Sequence, residues 1–268
     1  MLPILTAFIT VFVVPFIMGI YLSFCKFSTV DNATFTGFKN YLEILNDQNF
    51  LNALWFTVRF TIVSVVSVNV LAFTLALALT RGLKGSNFFR TVFFMPNLIG
   101  GIVLGYIWNL IINGILGVFG VDITYSASYG FWGLVAVMNW QLIGYMMVVY
   151  IAGIQSIPTS LTEASQIDGA SPFQTLRKII IPMIMPSVTI CTFLTLANSF
   201  KMFDQNLALT NGAPAKATTM LALDIYNTFY NSVGQQGVGQ AKAVVFAVIV
   251  AVIAFLQLKI TGSREEQL

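Results

Sequence analysis

The stretch "EASQIDGASPF", residues 163–173, is a charged and turn-rich interruption in a chain that is otherwise mostly apolar. Residues 155–182 around it contain two acidic and two basic side chains, together with the turn signals Gly169 and Ser171-Pro172. The segments on both sides are apolar over about 20 residues, the length of a membrane-spanning helix. The stretch is therefore predicted to lie in a structured loop, the 155–182 loop, between two membrane spans.

The composition of the whole chain also favours a membrane location. Of its 268 residues, 57% are hydrophobic and 9% are charged, and the mean hydropathy is +0.84. Soluble domains carry roughly 25% charged residues, so this chain has too few charges to cover a water-exposed surface. The apolar runs are continuous and lack the alternation of barrel strands. The sequence thus predicts an all-α membrane protein.

About six membrane spans are predicted, and they form a single polytopic domain over residues 1–268. The predicted spans are 2–24, 52–79, 91–112, 131–154, 183–203 and 241–260. The first span has no basic stretch before it and no small-residue cleavage site after it, so a removable signal peptide is not expected.

The distribution of basic residues predicts the orientation of these spans. If residues 80–90, residues 155–182 and the C-terminus share one side, that side holds seven bases and the opposite loops hold four. Because basic residues accumulate on the cytoplasmic side, both termini and the 155–182 loop are predicted to be cytoplasmic. The seven are Arg81, Lys84, Arg90, Arg177, Lys178, Lys259 and Arg264, and the four are Lys26, Lys39, Lys216 and Lys242.

Residue types that the chain lacks disfavour several kinds of chemistry. It has no histidine and no phosphate-binding loop sequence, so we expect no catalytic residue, no metal site and no cofactor in this chain. Cys25 and Cys191 lie far apart and are predicted to be packing residues. The net charge of +3 fits membrane topology rather than a nucleic-acid partner.

Local signals within the 155–182 loop predict two short helices joined by a sharp turn. Ser160 followed by Glu163 has the spacing of a capping box, and Gly169 suits a left-handed residue after a helix over 161–168. Ser171-Pro172 predicts the start of a second helix. A short rigid helix of this kind is suited to docking in a groove of another protein. The alternative is a helix pair that rests on lipid headgroups.

Residues 163–182, "EASQIDGASPFQTLRKIIIP", resemble the EAA motif of permease subunits of bacterial ABC importers. Other segments, among them "FTGFKNYLEIL", "FRTVFFMPNLIGGIVLGYIW" and "LTNGAPAKATTMLALDIY", are similar to carbohydrate-type permeases related to the maltose and glycerol-phosphate importers. The matching motif positions are Glu163, Ala164, Asp168, Gly169, Ala170, Ile179 and Pro182, and the departures are Ser165, Leu176 and Ile181.

The resemblance implies a type I ABC importer permease fold with a cytoplasmic coupling helix in the bacterial cell membrane. Such a permease imports a sugar or oligosaccharide and pairs with a second permease subunit. It also works with a cytoplasmic ATPase dimer, which binds ATP and Mg, and with an extracytoplasmic solute-binding protein. The resemblance implies ATPase-coupling roles for Leu161 and Ala164 as apolar contacts, for Glu163 and Asp168 as polar contacts, and for Gly169, followed by Ala170, as the turn.

Polar side chains within the predicted spans are candidates for the solute path, since such residues usually face a cavity or another helix. Sugar binding requires hydrogen-bonding amides and an aromatic face, and residues 139–145 offer both. The candidates are Asn139, Trp140, Gln141, Tyr145, Asn198, Ser199 and Lys201, with Asn69 as a further polar residue. The alternative for each is hydrogen bonding between helices.

Several alternatives and local expectations stay open on sequence alone. Lys201 either extends toward the membrane surface or meets an anionic solute, which keeps an importer of a polyol, a sugar phosphate or glycerol phosphate as an alternative. A secondary carrier is disfavoured because all ten acids fall in loops or at span edges. A channel or structural subunit would leave the 155–182 loop unexplained. Gly101 and Gly105 predict close helix packing, and Met95-Pro96 predicts a kink in the third span.

Overall fold

Apolar helices occupy all six predicted spans. The computed structural model describes residues 2–265, with side chains described for residues 3–261. In this part of the chain, four helical segments are long and apolar enough to cross a membrane: Pro3–Ser23, Gln48–Leu79, Ala127–Gln155 and Gln236–Thr261. Two bent pairs pass the same test together, Ser86–Leu98 with Gly101–Gly117, and Pro172–Met183 with Met185–Phe200. Counting each bent pair as one span gives six, as predicted.

The helices are joined by short turns and one small hairpin. In chain order, the α-helices are α1 (Leu2–Phe8), α2 (Val14–Ser23), α3 (Lys39–Asn46), α4 (Gln48–Leu79), α5 (Ser86–Phe94), α6 (Gly101–Gly117), α7 (Ala127–Gln155), α8 (Thr159–Ile167), α9 (Pro172–Thr175), α10 (Ile181–Met183), α11 (Met185–Phe200), α12 (Asp204–Leu209), α13 (Leu221–Tyr230) and α14 (Gln236–Glu265). Residues Ile9–Val13 and Leu176–Ile180 form π-helical turns, and Val30–Asn32 and Met95–Leu98 form 3-10 turns. Strands β1 (Cys25–Lys26) and β2 (Thr34–Phe35) pair antiparallel, with Cys25 opposite Phe35.

The core of the bundle is formed by α4, α7 and α11. The buried face of α4 repeats every three or four residues, as expected for a helix that packs along one side. Its buried members include Phe56, Phe60, Ser64, Val68, Ala72 and Ala76. The α7 helix runs parallel to α4, since Phe131 packs on Phe56 while Tyr150 packs on Phe73. The α4 helix therefore begins at the end of the bundle opposite the 155–182 loop, here called the distal end.

The third span breaks at the predicted Met95-Pro96 site, but far more sharply than a kink. The 3-10 turn Met95–Leu98 ends in extended backbone, and the two halves of the span meet at 104°. Proline lacks an N–H and cannot continue the helical hydrogen bonds. At this break α5 packs directly on α7, where a Cβ added to Gly144 would lie 1.8 Å from the Phe93 carbonyl oxygen. The fifth span bends by 70° at Ile184, which lies between Pro182 and Pro186.

The close packing predicted for Gly101 and Gly105 is confirmed. A Cβ added at Gly101 would lie 2.9 Å from Cβ of Asp204, and one added at Gly105 would lie 2.6 Å from Cβ of Ala208. Both contacts are made with α12, which follows the fifth span. Small residues on α6 thus allow α12 to lie against it. Cys25 and Cys191 are buried free thiols, as predicted for packing residues.

The position of Lys242 changes the count of basic residues in the loops opposite the 155–182 loop from four to three. It was predicted to be a loop residue on the side opposite the 155–182 loop, yet it lies inside α14 and is 1% exposed. Its ammonium is 2.7 Å from Asp47 Oδ2 and 2.8 Å from Asp224 Oδ2, and it donates to Thr228 Oγ1 at 2.8 Å. A lysine is buried in this way only when it is paired. The side chain of Arg264, one of the seven bases on the other side, lies outside the described residues.

Candidate functional site

The 155–182 loop has the predicted form of helix, sharp turn and helix. The α8 helix ends in a Schellman motif, in which the Ala170 amide donates to the Ser165 carbonyl at 2.9 Å and the Gly169 amide donates to the Gln166 carbonyl at 3.1 Å. Gly169 has a φ of +75°, the left-handed conformation that favours glycine. The turn is therefore fixed by backbone hydrogen bonds that need a glycine at this position.

The start of α8 differs from the prediction. The helix begins at Thr159 after Pro158, two residues before the predicted start, and no side chain caps its first turn. The capping box predicted for Ser160 and Glu163 is therefore wrong. Pro158 is the physical reason, because its fixed φ of −57° already suits the entry to a helix and its carbonyl accepts from the Leu161 amide at 3.1 Å. Ser160 then falls within the helix and is not its cap.

The second helix starts as predicted. Ser171 is the N-cap of α9, and Pro172 is its first residue. The Ser171 amide donates to Gln174 Oε1 at 2.7 Å, and the Gln174 amide donates to Ser171 Oγ at 3.3 Å, which completes a capping box. The buried hydroxyl of Ser165 lies 3.0 Å from Thr175 Oγ1 and ties α8 to α9. Ser165, a departure from the motif, therefore helps to hold the two helices in place.

The residues with implied ATPase-coupling roles lie on the surface of this loop. Leu161, Glu163, Ala164, Asp168 and Gly169 are exposed, and Ala170 is half-buried. Two apolar side chains that the sequence reasoning missed are even more prominent, since Ile167 is 86% exposed and Phe173 is 68% exposed. Both stand among polar neighbours in "SQIDGASPF", and this contrast was the signal available in the sequence. Exposed apolar side chains on a rigid loop are typical of a protein-binding surface.

A polar cavity of about 320 Å³ lies at the break in the third span and is here called the central cavity. Its polar lining residues come from the break, from α7, and from the end of α11 and the start of α12. These residues are Asn97, Gln141, Asn198, Lys201, Asp204 and Gln205. A polar cavity between the helices of a membrane bundle is a typical solute site.

The central cavity brings together three of the predicted solute-path residues. Gln141 accepts at Oε1 from Gln205 Nε2 at 2.8 Å, while Asn198 and Lys201 are exposed at the end of α11. Asn139 and Ser199 do not line the cavity. Asn139 donates to Ser67 Oγ of α4 at 2.9 Å, and the buried Ser199 hydroxyl donates to the Thr195 carbonyl at 2.8 Å.

The two aromatic candidates also lie outside the central cavity lining. Trp140 is 42% exposed, and its ring packs edge-on against Trp108 at 5.7 Å. Tyr145 packs edge-on against Phe94 at 6.3 Å, beside the break in the third span. Asn69, the further polar residue, accepts from the Tyr150 hydroxyl at 2.7 Å and donates to Thr195 at 3.4 Å. For Asn69 and Asn139, hydrogen bonding between helices is the structural role.

Asn97, Asp204 and Gln205 were missed by the sequence reasoning. Asp204 and Gln205 open α12, which packs on Gly101 and Gly105, and Asn97 follows Pro96 in the 3-10 turn. The only signal in the sequence was the Gly101 and Gly105 pair, which predicts that another helix packs on α6. The sequence does not specify which helix that is. Asp204 places an acid in the same cavity as Lys201, so the charged lining is balanced. No group of three or more histidine, cysteine, aspartate or glutamate side chains that could hold a metal ion is found within residues 3–261.

Six spans with a polar cavity among them and a rigid two-helix loop at one end define a membrane transport subunit. Residues 69–261 match the family described as the binding-protein-dependent transport system inner membrane component, and the chain belongs to this family. The resemblance seen in residues 163–182 is thereby confirmed.

Named relatives match nearly the whole chain. The probable starch degradation products transport system permease protein AmyD of Thermoanaerobacterium thermosulfurigenes is 45% identical, covering 99% of this chain and 94% of the relative. The multiple sugar-binding transport system permease protein MsmF of Streptococcus mutans is 30% identical, covering 95% and 91%. A crystal structure of a bacterial ABC transporter involved in the import of the acidic polysaccharide alginate shares the fold, with a TM-score of 0.84 at 19% identity over 98% of this chain and 93% of the other.

Proposed function

We propose that this chain is the permease subunit of an ATP-driven importer for a neutral oligosaccharide of the starch-derived type. The observation that carries the proposal is the 45% identity, over 99% of the chain, to a permease named for the transport of starch degradation products. The chain forms half of a membrane channel with a second permease subunit. ATP and Mg are held by a separate cytoplasmic ATPase dimer, and a solute-binding protein delivers the saccharide from outside.

The 155–182 loop is the proposed site of coupling to the ATPase. Leu161, Ala164, Ile167 and Phe173 offer apolar contact, Glu163 and Asp168 offer charges, and the Gly169 turn fixes the angle between the helices. Closure of the ATPase dimer moves such a rigid element as one body, and the packed helices carry this motion to the central cavity. In this arrangement the loop and both termini face the cytoplasm of a bacterial cell, and the distal end faces outward.

The central cavity is the proposed solute site, with Gln141, Asn198, Lys201, Asp204, Asn97 and Gln205 as hydrogen-bonding partners. Amide, carboxylate and ammonium groups can bond sugar hydroxyls as donors or acceptors. The acid–base balance of Lys201 and Asp204 supports a neutral solute over the phosphorylated alternative, because Asp204 repels an anion that Lys201 attracts. A secondary carrier is less well supported, since the buried Asp224 is already paired with Lys242 and is not free to carry an ion.

The decisive experiment replaces Gly169 by leucine and measures ATP hydrolysis that co-purifies with the chain. A Cβ at Gly169 would meet no atom within 4 Å, so the cost of Gly169→Leu within this chain starts from the φ of +75° and not from a clash at the Cβ. A non-glycine residue in a left-handed conformation costs about 1–2 kcal/mol, enough to reshape the turn. We expect ATPase to co-purify with the wild type, and to be lost or uncoupled from transport in Gly169→Leu.

Gly120→Leu is the matched control. Gly120 has a φ of +72° and equally open surroundings, but it lies in the distal turn between α6 and α7. It should retain the ATPase. If no ATPase co-purifies with the wild type when the partner subunits are co-expressed, the importer proposal is wrong. If Gly169→Leu and Gly120→Leu behave alike, the coupling role of the loop is wrong.

A further inference from the structure

A second cavity, with four aromatic side chains among its nine lining residues, lies at the distal end between α13, α14 and the residues after α11. Its volume is about 350 Å³, and its lining includes Phe203, Tyr226, Phe229, Tyr230, Gly239 and Gln240. Three of the rings form a ladder, with centroids of Phe203 and Tyr226 5.0 Å apart and those of Tyr226 and Tyr230 also 5.0 Å apart. We call Phe203, Tyr226 and Tyr230 the aromatic ladder.

The aromatic ladder adjoins, along the chain, the segment that lines the central cavity. Phe203 lies between Met202 and Asp204, and both of these neighbours line the central cavity. At the other end, α13 rises from Leu221, whose amide donates to Thr57 within α4, to Tyr230 beside the turn that precedes α14. The three contacting rings therefore extend from Tyr230, beside the turn before α14, to Phe203, in the chain segment that contributes Met202 and Asp204 to the central cavity.

The rings of the ladder are not packed away in the core. Tyr226 is 37% exposed and Tyr230 is 68% exposed, although both rings contact their neighbours. Phe229 on the same helix also lines the cavity, but it packs in addition on Phe27 and against Gly239 of α14. The α13 helix thus uses Phe229 for packing and leaves two tyrosine rings partly exposed.

The chemistry of these rings fits the apolar faces of pyranose units. Glucose units linked in a chain present flat C–H faces that stack on aromatic rings, while their hydroxyls bond to groups at the ring edges. The two tyrosine hydroxyls and the Gln240 amide are the polar groups of this cavity. A row of rings in steps of 5.0 Å suits a linear chain of such units better than a single ring.

We propose that the aromatic ladder is an entry subsite that binds consecutive units of a linear neutral oligosaccharide on its way to the central cavity. The proposal rests on the saccharide substrate proposed above, and it adds a length preference that the central cavity alone does not give. An oligosaccharide longer than the central cavity extends along the ladder, whereas a disaccharide is held by the central cavity with little use of it.

The first test measures uptake of maltose and of maltohexaose by the complete transporter in proteoliposomes. The double variant Tyr226→Ala/Tyr230→Ala should lower maltohexaose uptake at limiting concentration about fivefold or more, since aromatic contacts are each worth a several-fold change in affinity. Maltose uptake should change less than about twofold. The double variant Tyr226→Phe/Tyr230→Phe keeps the ring faces and should retain most maltohexaose uptake.

Tyr125→Ala/Tyr129→Ala is the matched control, because these tyrosines are another exposed distal pair with ring centroids 6.3 Å apart. This control variant should change the uptake of neither maltose nor maltohexaose. Equal loss of maltose and maltohexaose uptake in the ladder variant would overturn the proposal, and so would an unchanged maltohexaose uptake.

A second test detects occupancy directly and does not depend on transport. Cys25 and Cys191 are buried, so Tyr230→Cys introduces one accessible thiol for a membrane-impermeant maleimide. Millimolar maltohexaose should slow labelling at Tyr230→Cys about threefold or more, but not at Tyr129→Cys. Equal labelling rates with and without maltohexaose would overturn the proposal. A wild type that couples ATP but imports neither maltodextrin would contradict the proposed substrate, whereas normal wild-type import with no protection contradicts the ladder alone.

Discussion

Lys242 and Lys201 lie near the distal ends of neighbouring spans, yet their charges have opposite surroundings. The Lys242 ammonium is buried and makes three contacts of 2.7–2.8 Å, with Asp47, Asp224 and Thr228. Lys201 is exposed at the end of α11 and lines the central cavity. Within the described residues, Lys201 makes no ion pair, although Asp204 lines the same cavity.

This difference separates charges that hold the fold from charges that remain available to a solute. An ammonium group has three donors, and all three of Lys242 are used to join the start of α4, α13 and α14. A group saturated in this way cannot bind anything else without losing a partner. Lys201 and Asp204 keep free hydrogen-bonding capacity in a cavity, which is the condition for binding a polar solute.

The largest expected effect is on the stability of the buried cluster. Lys242→Met leaves Asp224, which is 6% exposed, without its cation, and breaking a buried pair in this way costs about 3–5 kcal/mol. We expect a large fall in the Tm of the purified protein, or loss of folded protein. Lys242→Met/Asp224→Leu removes the lysine and the more buried of its two acids and should recover part of this loss, because an apolar replacement of a buried pair is often neutral, while Asp47 still lacks its cation. If the Lys242→Met protein is as stable as the wild type, the ion pairs of Lys242 do not stabilise the fold, and the contrast with Lys201 is wrong.

A smaller effect, on transport and not on stability, is expected at Lys201. Lys201→Met should change the free energy of unfolding by less than about 0.5 kcal/mol, since the side chain is exposed and unpaired. It should reduce the uptake of a neutral oligosaccharide about tenfold, the value of one hydrogen bond to a charged group. Uptake and Tm are measured on the same preparation. Asp204→Asn is the companion variant and should favour an anionic sugar relative to the wild type, because the cavity then carries a net positive charge.

The parts of the molecule that sequence predicted are those set by local or periodic signals. The six spans follow from apolar length, and the Gly169 turn and the Ser171 cap follow from residue types with one preferred backbone role. The capping box at Ser160 failed because Pro158, two residues earlier, offers a competing helix start of its own. Gly101 and Gly105 correctly indicated close helix packing, but they did not indicate that α12 is the helix that packs there.

The parts that sequence did not predict depend on contacts between distant segments. Lys242 and Asp224 are separated by a turn and two helical segments, and Asp47 lies at the start of another span, so no local pattern joins them. Asp204 is a different case, because it follows Lys201 by only three residues and was missed because it lies just beyond the predicted fifth span, which ended at residue 203. Asn139 was predicted for the solute path, yet it bonds Ser67 of α4. An amide within a span satisfies either role, and only the packing of α7 on α4 decides between them.

The smallest effect expected is the pH dependence that Asp47 gives to the buried cluster. Burial raises the pKa of the Asp47 carboxyl, but the hydrogen bond and charge of Lys242 and the amides of Asn49 and Phe50 lower it more, so that the pKa lies below its ordinary value of 3.8. A carboxyl with a lowered pKa in the folded state adds stability above its unfolded pKa, and this stability is lost as the pH falls through the folded pKa. Asp47→Asn should therefore be less stable than the wild type at neutral pH, and the difference in Tm should shrink below about pH 4.

Asp122 provides the exposed counterpart for this measurement. Its pKa is also lowered, by hydrogen bonds from the Thr124 side chain and amide, but it lies in the distal turn before α7 and has no lysine partner. Asp122→Asn should change the Tm little at any pH, since exposed polar contacts add little to stability. If the two aspartates give the same pH profile, the buried lysine adds nothing at Asp47. Of the two acids that contact Lys242, only Asp224 would then count as a charge that stabilises the fold.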